Sequence, residues 1–282
     1  MKEIQWYPGH MTKARRMMEE SLRQIDVVIE LVDARAPVAS RNPDFDNLFA
    51  GKERIVILNK ADLADPAHTT AWQQAFRKKG IEAAGFIATR RGEKAKAMKA
   101  IEKASAACVA RMAAKGVKKT VRVLVAGIPN VGKSTFINTL SGGANTTTGN
   151  RPGVTKGKQW VRLGPYLELM DTPGMLWPKL ENRQGALYLA YIGAIRDGIL
   201  DVEELAMSLL EVMAARWMEA LRARYAAIEE GMSGLEMLEA ICRGRGFLLS
   251  KAELDYERAA TTVLDEFRSG TIGRFSLELP EA

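Results

Sequence analysis

The chain has 282 residues, of which 47% are hydrophobic and 27% are charged, as in a globular protein with one large domain or two modest ones. No apolar run is long enough to cross a bilayer, and the start of the chain lacks the apolar stretch of a signal peptide. The two cysteines, Cys108 and Cys242, lie far apart without metal-ligand spacing, which indicates reduced thiols. We therefore expect a cytoplasmic protein with no membrane partner.

The net charge of +7 is unevenly distributed along the chain. Residues 1–182 carry 30 Lys and Arg against 17 Asp and Glu, whereas residues 183–282 carry 11 against 17. Within the basic part, residues 90–122 hold eleven basic and two acidic side chains. This density indicates either a polyanionic partner, RNA in preference to a membrane, or the solvated face of a helix.

Short apolar runs alternate with helical patterns in the first part of the chain, which is typical of strands buried in a mainly parallel sheet. The predicted strands are 26–33, 53–60, 82–89, 120–127 and 167–171. After them the pattern is helical, and the predicted helices are 201–228, 234–243 and 250–267. The fold class is therefore α/β followed by a small all-helical domain. The predicted division is an N-terminal segment at 1–24, an α/β domain at 25–180 and a helical domain at 181–282.

The stretch GIPNVGKST, which begins at Gly127, matches the phosphate-loop pattern G-x-x-x-x-G-K-[ST]. It follows the fourth predicted strand and opens a helix, and this pattern requires that context. Backbone N–H groups and the helix N-terminus would surround a β-phosphate, Lys133 would reach the β and γ oxygens, and Ser134 would bind Mg²⁺. The sequence thus predicts a nucleoside triphosphate site. The residues expected to contact the nucleotide here are Asn130, Val131, Gly132, Lys133, Ser134 and Thr135.

Two further segments complete the predicted phosphate site. The motif DTPG at 171–174 closes an apolar strand, so Asp171 is expected to face Mg²⁺ and Gly174 to offer its N–H to a γ-phosphate. The segment NRPGVTKG at 150–157 is rich in turn-forming residues, and a loop there could bring the Thr155 hydroxyl onto Mg²⁺ when a triphosphate is bound. Thr146 to Thr148 are alternative candidates for this role.

The tetrapeptide NKAD at 59–62 predicts that the base is guanine. The Asp62 carboxylate would accept hydrogen bonds from guanine N1–H and the exocyclic amine, a pair of donors that adenine lacks. Lys60 would lay its stem over the base, and Asn59 would tie this loop to the phosphate loop. The tetrapeptide follows the strand ERIVILN, at the edge where α/β sheets bind ligands. The segment IATRRG at 87–92, with Thr89, is the expected base-contacting loop.

The order of these motifs is rearranged relative to that of most guanine-nucleotide-binding proteins, in which the phosphate loop comes first and NKxD late. Here NKAD and the base loop precede the phosphate loop, Thr155 and DTPG. A circular permutation accounts for this order, since it moves the termini while it keeps the sheet and its binding edge. The α/β domain is therefore predicted to be a circularly permuted P-loop GTPase domain.

The chain resembles the circularly permuted GTPases of ribosome assembly over its whole length, although the final helices match more loosely. The matching motifs are WYPGHMTKA at the start, DARAP at 33–37, NKAD, GIPNVGKST, PGVT and DTPGMLWP. The resemblance implies a monomer that binds the large ribosomal subunit and its rRNA late in maturation. It also implies slow intrinsic GTP hydrolysis that the subunit stimulates, and a helical domain that contacts rRNA.

Catalysis needs a group to orient the attacking water, and Met175 stands where many GTPases have a glutamine after DTPG. The resemblance supports His10 for this role, because a neutral imidazole can orient water. The alternative is a turn histidine that packs near Trp6 and Tyr7. His68 is expected to have no chemical role. The resemblance also implies that Asn130 supplies an oxygen ligand to a bound K⁺, and a structural role in the loop is the alternative.

Two other functions are compatible with these motifs. The first is a nucleotide-gated RNA-binding scaffold with little turnover, which Met175 favours and which His10 and an intact DTPG oppose. The second is an ATPase or a small-molecule kinase, which would require the NKAD match to be accidental. We expect the lysine-rich region 90–122 to supply more of the salt-dependent RNA affinity than the net acidic helical domain does.

Overall fold

The structure, a computed structural model, describes residues 8–90, 92–143, 159–177, 182–195 and 201–280, with only the backbone described at residues 8–11. It divides into two compact units, of which the first comprises Met1–Ala186 with Ser276–Ala282 and the second comprises Leu187–Phe275. Within the described ranges, no helix is both long and apolar enough to cross a membrane.

The first unit is built on a mainly parallel sheet, as the sequence predicts. The strands are β1 Val27–Asp33, β2 Glu53–Asn59, β3 Glu82–Gly85, β4 Val121–Gly127, β5 Gln159–Arg162 and β6 Leu167–Asp171. Their order across the sheet is β3-β2-β1-β4-β6-β5, and β5 alone pairs antiparallel, with β6. Strand β5 is not predicted from the sequence, because Val161 is its only buried residue and this edge strand has no apolar run.

Every residue of the central strand β1 is buried, including the charged residues Glu30 and Asp33. The Glu30 carboxylate lies 3.3 Å from Arg41 Nε and 2.7 Å from Arg54 Nη2. A buried carboxylate is tolerated only where cations and hydrogen bonds replace its water. The two arginines supply both at Glu30, and five of the seven residues of β1 are apolar.

Helices cover the sheet in the first unit and make up most of the second. In the first unit they are α1 Pro8–Leu22, α2 Asp44–Leu48, α3 Pro66–Lys78, α4 Lys94–Ala113, α5 Lys133–Ser141 and the start of α6 Arg183–Tyr191. In the second they are α7 Val202–Arg224, α8 Gly234–Arg245 and α9 Tyr256–Ser269. The sequence predicts one continuous helix over 201–228, but Trp217 has non-helical φ and ψ of −143° and 43°, which kinks α7.

The N-terminal helix α1 is part of the core of the first unit. Met18 is fully buried in a cluster with residues of three neighbouring strands, namely Val28, Leu124, Ala126 and Met170. The chain passes from the end of α1 at Leu22 into β1 within a few residues, so the helix runs back along the sheet. Its 15 residues span about 22 Å at 1.5 Å per residue, comparable to the length of β1. The first turn of α1 is thereby directed toward the edge at which β1 ends.

The last residues of the chain, Ser276–Ala282, belong to the first unit, whereas the sequence predicts a helical domain over all of 181–282. Leu277 N–H donates to Arg35 O at 2.7 Å. The Glu278 carboxylate accepts hydrogen bonds from Val38 N–H at 2.6 Å and Ala39 N–H at 3.0 Å. The second unit is thus inserted between two segments of the first.

Candidate nucleotide-binding site

The predicted motifs meet at one edge of the sheet. Asp33, Asn59, Gly127 and Asp171 each end one of the parallel strands β1, β2, β4 and β6. In the strand register Asp33 lies opposite Asn59. Since ligands of open α/β sheets bind beyond the carboxyl ends of the strands, the rearranged order along the chain still produces one site.

The phosphate loop between β4 and α5 depends on two glycines. Gly127 has a φ of +154°, and a Cβ there would lie 2.6 Å from Leu31 O. Gly132 has a φ of +96°, and a Cβ there would lie 2.5 Å from Asn59 Nδ2. Asn130 also lies in the left-handed region, with a φ of +56°. These turns lead into the N-terminus of α5, where backbone N–H groups can bind phosphate oxygens.

Lys133, the first residue of α5, is buried beneath this loop. Its Nζ donates to Ile128 O at 2.8 Å. Burial lowers the pKa of Lys133 to about 8, and the Asp171 carboxylate partly offsets this shift. A phosphate at the loop would favour the charged ammonium, so this lysine is placed to bind a negatively charged ligand.

Ser134 and Asp171 form a pair suited to a hard divalent cation. Ser134 Oγ donates to Asp171 Oδ2 at 2.8 Å. Asp171 Oδ1 is buried and has no hydrogen-bond partner in the described part of the chain, and burial raises the pKa of this carboxyl. No cluster of three or more His, Cys, Asp or Glu side chains occurs among the described residues. The arrangement fits Mg²⁺, which is usually held by one or two protein oxygens together with phosphate oxygens.

The DTPG segment packs directly against the phosphate loop. A Cβ on Gly174 would lie 2.6 Å from Pro129 Cα, so that only glycine permits this approach. Thr172 Oγ1 donates to Val125 O at 2.7 Å, and Met175 N–H donates to Gly127 O at 3.2 Å. The backbone N–H of Gly174 therefore belongs to a segment fixed beside the phosphate loop.

Met175 points away from this edge and into the core. Its side chain is 2% exposed and belongs to the apolar cluster that contains Met18 of α1. Asn42 Nδ2 donates to Met175 O at 3.1 Å, which fixes the backbone as well. The residue after DTPG thus packs the sheet against α1.

Asn59 connects three segments of the site. Its Nδ2 donates to Val131 O at 2.8 Å, and its Oδ1 accepts from Ala88 N–H at 3.3 Å. These two bonds join NKAD to the phosphate loop and to the loop that follows β3. Asp62 lies half-buried in the turn after β2, and Thr89 is exposed in the predicted base loop.

Helix α5 supports the base loop from the other side. Thr139 Oγ1 donates to Ala88 O and, at 2.9 Å, to the backbone O of Thr135. The Phe86 and Phe136 rings meet edge to face, with their centroids 4.9 Å apart. Helix α5, which begins at the phosphate loop, therefore also holds the base loop in place.

Some predicted site residues lie outside the described part of the chain. These are Thr155, its alternatives Thr146 to Thr148, and Arg91 of the base loop. The backbone of His10 lies in the first turn of α1, while its side chain is outside the description. His68 lies at the start of α3, with its Nδ1 3.9 Å from Asp65 Oδ1.

One residue at the site was not singled out from the sequence by its chemistry. Asp33, in the DARAP segment, is buried and lies with its Oδ2 3.1 Å from Lys60 Nζ. A usable signal was present, because Asp33 is a polar residue at the carboxyl end of a buried parallel strand. The same rule drew attention to Asn59 and Asp171.

Known proteins resemble this chain along nearly its whole length. A protein-family model described as "50S ribosome-binding GTPase" matches residues 122–228. The chain is 43% identical to the ribosome biogenesis GTPase A of Bacillus cereus, over 99% of this chain and 94% of that protein. It is 34% identical to the ribosome biogenesis GTPase A of Thermotoga maritima, over 99% of this chain and 95% of that protein.

A solved structure gives the same result. The crystal structure of GNP-bound YlqF from T. maritima matches with a TM-score of 0.68 and 30% identity, over 95% of this chain and 99% of that one. The prediction of a circularly permuted P-loop GTPase is thereby confirmed, and an ATPase or small-molecule kinase is set aside. On this geometry and these similarities, the chain belongs to the ribosome biogenesis GTPase A family and is a GTP-binding, GTP-hydrolysing enzyme of ribosome assembly.

Proposed function

We propose that this GTPase acts on the large ribosomal subunit late in its maturation, and that the subunit stimulates its GTP hydrolysis. The pair of Asn59 hydrogen bonds, which join the guanine, base and phosphate loops into one site, carries the GTP-binding part of this proposal. The match to a family described as 50S ribosome-binding supports the large subunit as the partner.

In this proposal each motif binds a defined part of GTP. Asp62 accepts hydrogen bonds from the guanine edge, Lys60 covers the base with its stem, and Thr89 belongs to the loop on the other side. The phosphate-loop residues surround the phosphates, and Gly174 N–H binds the γ-phosphate. The residues assigned to the phosphates are Asn130, Val131, Gly132, Lys133, Ser134 and Thr135. The close packing of the DTPG segment against the phosphate loop supports this division of roles.

Two cations belong to the proposed site. Ser134 and Asp171 would hold Mg²⁺, with Thr155 added when GTP is bound, and the ion would supply positive charge to the β and γ oxygens. Asp171 Oδ1, which has no hydrogen-bond partner among the described residues, supports this assignment. Asn130, whose left-handed backbone places it at the turn of the phosphate loop, would supply an oxygen ligand to K⁺.

His10 is the proposed residue that orients the water. The water attacks the γ-phosphorus while the bond to the leaving oxygen of GDP breaks, and its protons pass to phosphate and solvent. The direction in which α1 runs supports this role, because it brings the first turn of the helix toward the binding edge. The burial of Met175 also supports it, because that side chain cannot reach a water at the γ-phosphate.

The proposed RNA contact is the lysine-rich helix α4. Lys94 and Lys99 are both exposed on this helix, and the charge density of this region favours phosphate groups. Replacing both lysines with glutamate should weaken binding of the large subunit and reduce its salt dependence. Lys78 and Lys79, exposed at the end of α3, provide the matched control pair. Equal effects of the two pairs would contradict a specific contact through α4.

GTP turnover by the purified protein, measured in K⁺ buffer with and without large subunits, tests the proposal as a whole. Strong stimulation by the subunit that is lost in His10→Ala is the expected result. If subunits bind but turnover stays at its basal rate, the protein acts as a nucleotide-gated scaffold on the ribosome instead. Replacing K⁺ with Na⁺ should lower turnover if Asn130 holds K⁺.

A further inference from the structure

Lys60 is held in an unusual backbone conformation at the proposed guanine loop. Its φ is +57°, in the left-handed region that residues other than glycine rarely adopt. Its Nζ lies 3.1 Å from Asp33 Oδ2, and its side chain is 25% exposed. Strained backbone that is fixed by surrounding contacts is concentrated at functional sites. The contact that fixes Lys60 therefore bears on how the loop works.

The Asp33 carboxylate is itself immobilised. Arg35 Nε donates to Oδ1 at 2.9 Å and Arg35 Nη2 donates to Oδ2 at 2.8 Å, and both side chains are 1% exposed. The backbone N–H of Asp33 donates to Ser40 Oγ at 2.8 Å. Burial alone would raise the pKa of Asp33, but Arg35 and Lys60 hold it well below its ordinary value, so the carboxylate stays ionised.

One buried carboxylate thus faces two cations. Arg35 by itself would neutralise the buried charge, so neutralisation does not account for the contact with Lys60. Asn59, the neighbour of Lys60, is fixed independently by its bonds to Val131 and Ala88. The loop is therefore anchored through the side chains of two consecutive residues, one on the phosphate loop and one on the end of β1.

We propose that Asp33 is a positioning residue for guanine binding, whose carboxylate holds Lys60 so that the Lys60 stem covers the base. The inference rests on the proposed role of residues 59–62. It assigns a function to the first residue of the DARAP segment that acts through Lys60, with no contact between Asp33 and the nucleotide.

A double-mutant cycle tests this proposal, with the affinity of the full-length protein for fluorescent GDP as the readout and pyrophosphate competition as a measure of the phosphate site alone. Asp33→Asn and Lys60→Ala should each weaken GDP binding about tenfold, the scale of a lost hydrogen bond to a charged group. The double variant should bind GDP no more weakly than Lys60→Ala, and pyrophosphate affinity should stay constant. Glu30→Gln, which removes another buried carboxylate from β1, is the matched control and should bind GDP normally.

Three results would overturn the proposal: wild-type GDP affinity in Asp33→Asn, losses that multiply in the double variant, or a parallel loss of pyrophosphate affinity. If Asp33→Asn does not fold, Lys60→Met tests the same contact, because it keeps an apolar stem and removes the ion pair without changing Asp33 or Arg35. Lys60→Met should lose about as much GDP affinity as Lys60→Ala, and wild-type affinity would refute the proposal. Asp62→Asn distinguishes a failure of the proposed guanine site at residues 59–62 from a failure of the proposed role of Asp33. This variant should prefer XDP over GDP even if Asp33 has no effect on binding.

Discussion

Replacing Met175 with glutamine should destabilise the protein without creating a faster GTPase. Glutamine is the residue that orients water at this position in many GTPases, and Met175→Gln restores it. Here, however, the side chain is buried in the apolar cluster of Met18, Phe45 and Met170. A glutamine amide in that cluster would lack hydrogen-bond partners, and burying such a group costs about 1–3 kcal/mol. For a protein of this size, that cost corresponds to a fall in Tm of roughly 2–4 °C per kcal/mol.

The assay pairs thermal unfolding with GTP turnover for Met175→Gln and for the control Met175→Leu. Leucine keeps the apolar character and nearly the volume, so it should cost less than about 1.5 kcal/mol and leave turnover unchanged. Met175→Gln should melt at a lower temperature and hydrolyse GTP no faster than the wild type. If it hydrolyses GTP faster and melts normally, the side chain at 175 reaches the nucleotide, and the assignment of this residue to the core is wrong.

Three further predictions follow from single contacts. Gly174→Ala should weaken GTP binding by roughly tenfold or more, because overpacking against backbone costs about 1–3 kcal/mol. The control Gly244→Ala, which has open space around the added Cβ, should bind GTP with normal affinity. GDP affinity should be constant below pH 8 and fall as the pH rises above it. The reason is that buried Lys133, with a pKa of about 8, must be charged to bind phosphate. The same pH titration of Lys133→Met should show no such fall. Glu278→Ala leaves two N–H groups of the turn after β1 without their acceptors. The free energy of unfolding, measured by denaturant titration, should therefore fall by about 1–3 kcal/mol. An unchanged denaturation midpoint would exclude an anchoring role for the C-terminal segment.

The parts of the fold that could be predicted are those that local sequence patterns specify. The strands β1, β2, β4 and β6 are short, mainly apolar runs, and their ends carry recognisable motifs. By contrast, β5 is an exposed edge strand and gives almost no periodic signal. The kink at Trp217 depends on packing within the second unit, where its ring lies with its centroid 4.8 Å from that of Phe275.

The contacts that escaped prediction join residues far apart in sequence. Glu278 binds a backbone N–H group 240 positions earlier, and no local pattern specifies that pairing. The ion pair of Asp33 with Lys60 depends on the register of β1 against β2, which becomes visible only when the sheet is assembled. Motifs predict the chemistry proposed for the site, whereas the contacts that hold these motifs in place required the tertiary structure.

Residues 59–62, which precede the phosphate loop in sequence, are proposed to recognise guanine in the same site. Competition between GTP and XTP for Asp62→Asn and for the wild type tests this proposal most directly. Xanthine carries a carbonyl where guanine carries its amine, so the asparagine amide can donate where the carboxylate accepted. Asp62→Asn should lose GTP affinity by about 10–100-fold and prefer XTP. An unchanged preference for GTP would show that this tetrapeptide is not the guanine-binding motif.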